Sequence, residues 1–476
     1  MNQRICKCLL LLTCIILNSQ IFLCAKSNSS GHNFVPVVLS GDMFMCFSGA
    51  TLQSFITISF INGVWYAVPM QVDERMASGR YVYTAGAFAG SDPDDRKLRV
   101  KSKSGSLSGR KEKLIPRYDT NDEFVFMLSD LIEPDNQFVM DSCPVLTEKT
   151  ALLLTNKAGI LLELPVDFFI SNANPVGTIN NSNDIKYSAH AGGWFPHVQS
   201  VKKTDKVYII SIENDKIPDS YHTPCIDYVQ YIPEGDCFSS PYFSIGFSEK
   251  VSNKLFYRIA AGAWNDARAK SIINELTFFG AVSLFFNAIT IRRNEDDAEC
   301  RVAGWKDGPV RAIRAAEYAL PIIGIINTPD LLLESTGYAQ EFRSEVHLRV
   351  PIDVDLFVSD VAGGVGFDFS DAAGGTIIRF PGFTNQILLD QKQTIEENNF
   401  AALHPFQGYA EFINPEYTFF LNIDFPEDFP LRLHTLYQET NRPSRSSGLL
   451  GWNVLDMINI DHAEMKYTIR TRRVFK

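Results

Sequence analysis

Val68-Pro69-Met70-Gln71-Val72-Asp73-Glu74-Arg75 and Tyr118-Asp119-Thr120-Asn121-Asp122-Glu123-Phe124-Val125-Phe126-Met127-Leu128-Ser129-Asp130 bracket a polar insertion, and their reading decides the fold. In each, a run of β-branched, aromatic and other apolar residues abuts an acid-bearing turn, the pattern of a short strand. The same pattern continues on both sides. Residues 54–60 alternate apolar and polar with period two, Asn62-Gly63 follows, and residues 64–70 return, which predicts a hairpin. Asn-Gly suits that turn because both central residues need positive φ. A second hairpin is expected from residues 300–306, the turn Asp307-Gly308 and residues 309–318, with Pro309 off the ladder because it has no N–H. Residues 151–169, 206–212, 255–260 and 465–470 add strand patterns. So do residues 276–291, an apolar stretch interrupted by Ser283 and Asn287 and short for a membrane span. Ser359-Asp360-Val361-Ala362-Gly363-Gly364 is echoed by Ser370-Asp371-Ala372-Ala373-Gly374-Gly375, which reads as two consecutive turn-then-strand units. Helices are expected only at residues 265–275, 329–334 and 391–398.

Many short strands separated by Gly and Pro turns make the chain all-β, a β-sandwich or supersandwich with a smaller N-terminal β unit. The 35 Phe and 17 Tyr agree, since aromatic side chains pack well on pleated surfaces. Residues 1–25 form a separate object. Arg4 and Lys7 precede an apolar core at Leu9 to Leu12 and Ile15 to Leu17, the layout of a secretory signal peptide. A secreted or periplasmic protein is the expectation. Asn18-Ser19-Gln20 disfavours an uncleaved anchor, and Leu23 before Cys24 disfavours a lipid-attachment site. The remaining chain divides into residues 26–171, carrying a basic loop at 96–117, and residues 172–476, with the Asn-rich stretch 172–183 as the seam.

The formal charge of the whole chain is −11, and losing Arg4 and Lys7 would make it −13. Such a balance argues against general nucleic-acid binding. No Cys-x-x-Cys occurs, so zinc ribbons have no support. In an oxidising compartment Cys225 and Cys237 could close a disulfide across Pro233-Glu234-Gly235-Asp236; the alternative is buried thiols.

Three groups of residues could carry chemistry. Asp119, Asn121 and Glu123 alternate, so an extended backbone projects their oxygens to one side, and with Asp73 they could bind calcium. The alternative is an Asx turn leading into the strand at Phe124. No other cofactor is expected. His190, His197, His222 and Tyr221 lie in an aromatic neighbourhood and are candidate general acids or bases. Trp194, with Trp264 and Trp305, offers rings on which a sugar could stack; the alternative is an aromatic core. No Gly-x-Ser-x-Gly, His-Glu-x-x-His or phosphate-cradling glycine loop is present. The basic loop, with Arg110, Lys111 and Lys113 at its end, is either a solvated loop or an arm for an anionic partner.

Three pieces taken together, residues 68–74, 118–127 and 307–313, resemble uncharacterised secreted bacterial proteins. They also resemble a domain family of unknown function related to galactose mutarotase-like polysaccharide lyases. The resemblance covers roughly a tenth of the chain. It implies a β-supersandwich and a carbohydrate context, and it transfers no catalytic residue. The functional expectation is an exported protein that binds or processes a glycan or another anionic envelope component. The alternative is a non-catalytic envelope interaction or structural protein.

Overall fold

The computed structural model of the chain describes residues 36–61, 64–92, 116–127, 152–155, 161–164, 184–185, 198–203, 208–212, 228–249, 252–284, 287–319, 321–323, 326–327, 331–350, 360–380, 386–389, 409–424, 432–438, 448–455 and 465–475. Among them the regular elements are antiparallel strands and 3-10 turns, the longest turn being the kinked segment Gly41–Phe47. The protein is all-β. None of its described helices is long and apolar enough to cross a membrane. It forms two compact units, one of Asn28–Tyr228 with Lys306–Arg311, the other of Val229–Trp305 with Ala312–Lys476.

In the first unit, Glu123–Met127 is the central strand of a three-stranded sheet, flanked by Pro36–Ser40 and Met70–Asp73. A second sheet runs Val64–Ala67, Phe55–Ile61, Tyr208–Ile212, Val198–Lys203, Asp184–Ile185. It contains the first expected hairpin, closed by the pair Ile61↔Val64. The hairpin stops at Ala67 rather than running to Met70. Val68 N–H still reaches the Thr57 carbonyl at 2.8 Å, but Pro69 has no N–H, and Met70–Asp73 joins the other sheet. The second sheet pairs strands from both sides of residues 171–172. Leu152–Thr155 and Leu161–Leu164 form a separate ribbon.

The core of this unit is aromatic. Phe47, Phe55, Tyr118 and Phe124 meet with ring centroids 4.9–6.3 Å apart, mostly edge to face. Gly41 completes the packing: a Cβ there would stand 2.6 Å from the Asp122 carbonyl, and its own carbonyl accepts the Tyr118 hydroxyl at 2.7 Å.

A buried ionic network ties Lys306–Arg311 to these strands. Arg311 is 1% exposed. Its Nε donates to Asp73 Oδ2 at 2.6 Å and its Nη2 to Glu123 Oε2 at 2.6 Å. Lys306 Nζ lies 2.9 Å from Asp73 Oδ1. Gln71 bridges the two sides, donating to Asp73 Oδ1 at 2.8 Å and accepting from the Arg311 backbone N–H at 3.0 Å. Burial works against the Asp73 charge, but Lys306 and Arg311 outweigh it and hold the carboxyl at about 2. Glu123 is also held below its ordinary value: burial opposes this, and Arg311 and Arg75 overcome it. Asp122 differs. Burial pushes it up to about 8, against the pull of the Asp119 and Arg75 backbone N–H groups.

The second unit is a sandwich. One run of hydrogen-bonded strands is Gln230–Ile232, Cys237–Ser239, Phe243–Glu249, Lys254–Ala261, Lys270–Leu284, Asp360–Phe369, Gly448–Leu455, Arg432–Gln438. The other includes Ala312–Ala319, Leu331–Gly337, Glu341–Val350, Met465–Phe475, Thr418–Asp424, Tyr409–Ile413 and Ile377–Arg379. Aromatic pairs join the runs: Phe247 to Phe342 at 5.5 Å and Phe369 to Phe412 at 5.5 Å. Arg314 is buried between them. Its Nε and Nη2 form a fork on Asp236, at 2.5 Å and 2.6 Å, its Nη1 donates to the Tyr318 hydroxyl at 3.0 Å, and its plane lies 4.3 Å from the Phe247 ring. Tyr231 and Ser248 also donate to Asp236, which sits at φ 42 in a turn.

Several expectations are corrected here. Residues 265–275 are not a helix. They are a turn followed by the strand Lys270–Leu284, whose Ile273 faces Ile259. Asn265 sits at φ 65, which no helix accommodates, Ala267 and Arg268 lie in a turn closed by the Ala269 N–H on the Asp266 carbonyl, and from Lys270 on sheet pairing overrides local propensity. Residues 329–334 overlap the strand Leu331–Gly337, which is paired on both edges. Residues 391–398 lie outside the described residues. The second hairpin has a wider tip than a two-residue turn, with its strands ending at Asp307 and starting at Ala312. In the echo, the first copy is continuous strand, Gly363 and Gly364 facing Gly280 and Phe279; only the second has a 3-10 turn before its strand. Cys237 is a free buried thiol in this structure, and Cys225, its expected partner, lies outside the described residues. Burial pushes the Cys237 thiol up to about 12.

Two expected outcomes follow from the buried pairs. The Asp73 carboxyl is lowered from 3.8 to about 2 on folding, so the stability it contributes is complete above about pH 4 and is lost as pH falls through 2. The loss amounts to about 2 kcal/mol. Asp122 titrates with the opposite sign, so the Asp73 contribution is read as the difference between wild type and Asp73→Asn in denaturant melts between about pH 6 and pH 2. Parallel profiles for the two proteins would refute the ion-pair account. Arg314→Met should destabilise the second unit by about 3–5 kcal/mol, because it leaves Asp236 buried and unpaired. An unchanged melting midpoint would refute a structural role for the Arg314–Asp236 pair.

Candidate functional site

The strand Lys254–Ala261 alternates cleanly. Leu255, Tyr257 and Ile259 are buried, while Lys254, Phe256 and Arg258 point away from the core. Phe256 is an aromatic residue on the outward parity and remains 43% exposed. The Arg258 guanidinium lies 3.7 Å from the centroid of the Phe256 ring. Arg258 faces Gly246 across the sheet. Trp264 lies over Gly246: a Cβ there would stand 3.0 Å from the indole Cη2 and 3.9 Å from the Arg258 Cβ. Gly235 supports the rest of the indole, with a hypothetical Cβ 3.2 Å from Nε1. The backbone N–H of Trp264 is fixed by Ser239 Oγ at 2.9 Å. Indole, guanidinium and phenyl ring thus lie in a row on the outer face of one sheet, and two glycines let the indole rest directly on the backbone.

The row presents polar edges to water. The Arg258 Nη1 donates to Glu295 and to the Tyr257 carbonyl. Its Nε and Nη2, and the indole Nε1, have no partner among the described residues, and none of them is buried without one. Glu295 is the acid behind the row. Its Oε2 accepts backbone N–H groups from Tyr257 at 3.1 Å and Leu276 at 2.9 Å. Burial pushes its carboxyl up to about 8 although Arg258 pulls the other way.

Of the residues named from the sequence, Trp264 is in this row. Trp305 instead packs on Tyr231, ring centroids 5.7 Å apart and tilted 45°. Asp73 and Glu123 do converge, but on Arg311 and Lys306 rather than on an open oxygen shell. Asp119 and Asn121 form an Asx turn, the Asp119 carboxylate accepting the Asn121 backbone N–H at 2.7 Å. Among the described residues no group of three or more His, Cys, Asp or Glu is placed to hold a metal. Trp194, His190, His197, His222, Tyr221, Arg110, Lys111 and Lys113 lie outside the described residues. At the end of the basic stretch, Arg117 donates to the Gly49 carbonyl at 2.5 Å. Sequence reading missed Phe256 and Arg258. The available signal was the parity of the 255–260 strand, which puts one aromatic on the polar side.

No family model matches the chain, and no curated protein does. Among solved structures, an α-mannosidase from Enterococcus faecalis V583 aligns over 58% of this chain and 32% of its own, at 9% identity and TM-score 0.36. HI1317 aligns over 52% of this chain and 97% of its own, at 5% identity and TM-score 0.25. The chain thus spans about a third of the α-mannosidase's length. At such TM-scores the alignments say nothing of function.

Proposed function

We propose that this chain is an exported glycan-binding protein and that the row Trp264, Arg258, Phe256 is its contact surface. The observation behind the reading is the exposed Phe256 held against a guanidinium beside an indole seated on glycine. Sugar rings offer apolar C–H faces to aromatic rings and hydroxyls to nearby donors. The row supplies both, with Phe256 and Arg258 on a strand hydrogen-bonded on either side and Trp264 in the turn that follows it.

Binding is favoured over cleavage at this face. Glycoside hydrolysis ordinarily needs two carboxyl groups flanking the bond, one free to transfer a proton. Glu295 is the described acid nearest the row. Its oxygens are already engaged by Arg258, Tyr257 N–H and Leu276 N–H, which leaves it a positioning role.

The test is retardation in native gels cast with soluble polysaccharide. Phe256→Ala should weaken retardation by about tenfold or more, as loss of a central aromatic contact does. Its melting curve should barely change, since an exposed residue costs about 0.5 kcal/mol or less. Gly246→Ala should also weaken binding, because the new methyl lifts the indole while Phe256 is untouched. Retardation unaffected by both substitutions would move the glycan site elsewhere.

A further inference from the structure

We infer that the sugar taken by this row carries an anionic group, a uronic-acid carboxylate or a sulfate ester, which docks on the outward edge of Arg258. The inference rests on the glycan-binding reading above and adds the class of glycan. Its first support is the state of the guanidinium. Glu295 and the Tyr257 carbonyl use only Nη1, and the Nε and Nη2 edge has no partner among the described residues. That edge is the fork that grips oxyanions in pairs. The same chain shows how the fork is used: Arg314 places its Nε and Nη2 on the two oxygens of Asp236, at 2.5 Å and 2.6 Å.

The second support is orientation. Phe256 lies against the Arg258 plane at 3.7 Å, and Glu295 anchors its inner nitrogen, so the fork is held rather than searching. The side chain is 25% exposed, enough to reach a ligand yet shielded on one face. A neutral hydroxyl needs only one donor; a stacked fork beside an aromatic surface matches a flat sugar bearing an oxyanion. Further along the chain Arg268 lies 3.0 Å from Asp266 and Lys270 3.7 Å from Glu416, while Lys254 shares the outward parity of Phe256 and Arg258. The held fork gives one anionic group a defined place at Arg258.

The experiment compares dextran, dextran sulfate and polygalacturonate as ligands for the full chain, by affinity gel or titration calorimetry at low and at physiological salt. Wild type should bind one or both anionic polymers about tenfold tighter than dextran, and the better of the two identifies carboxylate or sulfate. Arg258→Gln should reduce that binding to the dextran level. Arg258→Lys keeps a charge beside Glu295 but lacks the fork, and should fall between the two at an unchanged melting temperature. Equal binding of dextran and the anionic polymers, with Arg258→Gln indifferent and Phe256→Ala damaging, would overturn the anionic inference and leave the glycan platform standing. Binding of none of the three, or binding insensitive to Phe256→Ala, would overturn the platform itself.

Discussion

A buried guanidinium cannot lose its proton, so it must be given a carboxylate wherever it is taken out of water. Among the described residues two are buried, Arg311 and Arg314, three residues apart, exposed 1% and 0%. Their partners come from far away in sequence. Asp73 and Glu123 meet Arg311, while Asp236 meets Arg314 across 78 residues. Each pair links segments that are distant in sequence. Gln71 shows how tightly: its side chain joins Asp73 to the Arg311 backbone, and a Cβ on Gly308 would stand 2.2 Å from it. Apolar burial supplies most of the favourable free energy, and removing either partner of such a pair would leave a buried charge uncompensated.

Much of this was legible in the sequence. Period-two alternation and Asn-Gly located the first hairpin, and the pieces at 68–74, 118–127 and 307–313 stood out as a set. The structure joins those pieces at Gln71, Asp73, Glu123 and Arg311. Their purpose was not legible. Alternating carboxylates look the same whether a metal ion or a guanidinium will neutralise them, and the guanidinium here arrives from 188 residues away. The helix expected at 265–275 failed for a related reason. Its local propensity was real, but Ile273 is claimed by Ile259 in the neighbouring strand, a non-local contact no window of sequence contains.

The candidate site was half legible. Trp264 was named for its ring, but a ring alone does not distinguish a platform from core. Trp305, on the same grounds, proves to be a packing partner of Tyr231. What separates the two is what lies beneath. Trp264 rests on Gly235 and Gly246, which come from a turn and from the next strand, and only folding sets them under one indole. Phe256 and Arg258 were visible as a parity anomaly in a strand that was itself correctly read.

Placing Phe256 and Arg258 on a strand, with Trp264 in the turn that follows it, has an energetic consequence. A loop-borne aromatic must lose backbone freedom on binding, at roughly 1–2 kcal/mol for each residue ordered. Here that cost is met during folding. Ser239 holds the Trp264 backbone, Glu295 holds Arg258, and Arg258 holds the Phe256 ring. Glu295 is in turn held by two backbone N–H groups, those of Tyr257 and Leu276 in adjacent strands. The buried acid thus serves the exposed surface: it converts strand pairing, which is cooperative and rigid, into the orientation of one guanidinium. A surface organised in this way loses little entropy when a ring is laid on it, so even a few contacts yield usable affinity.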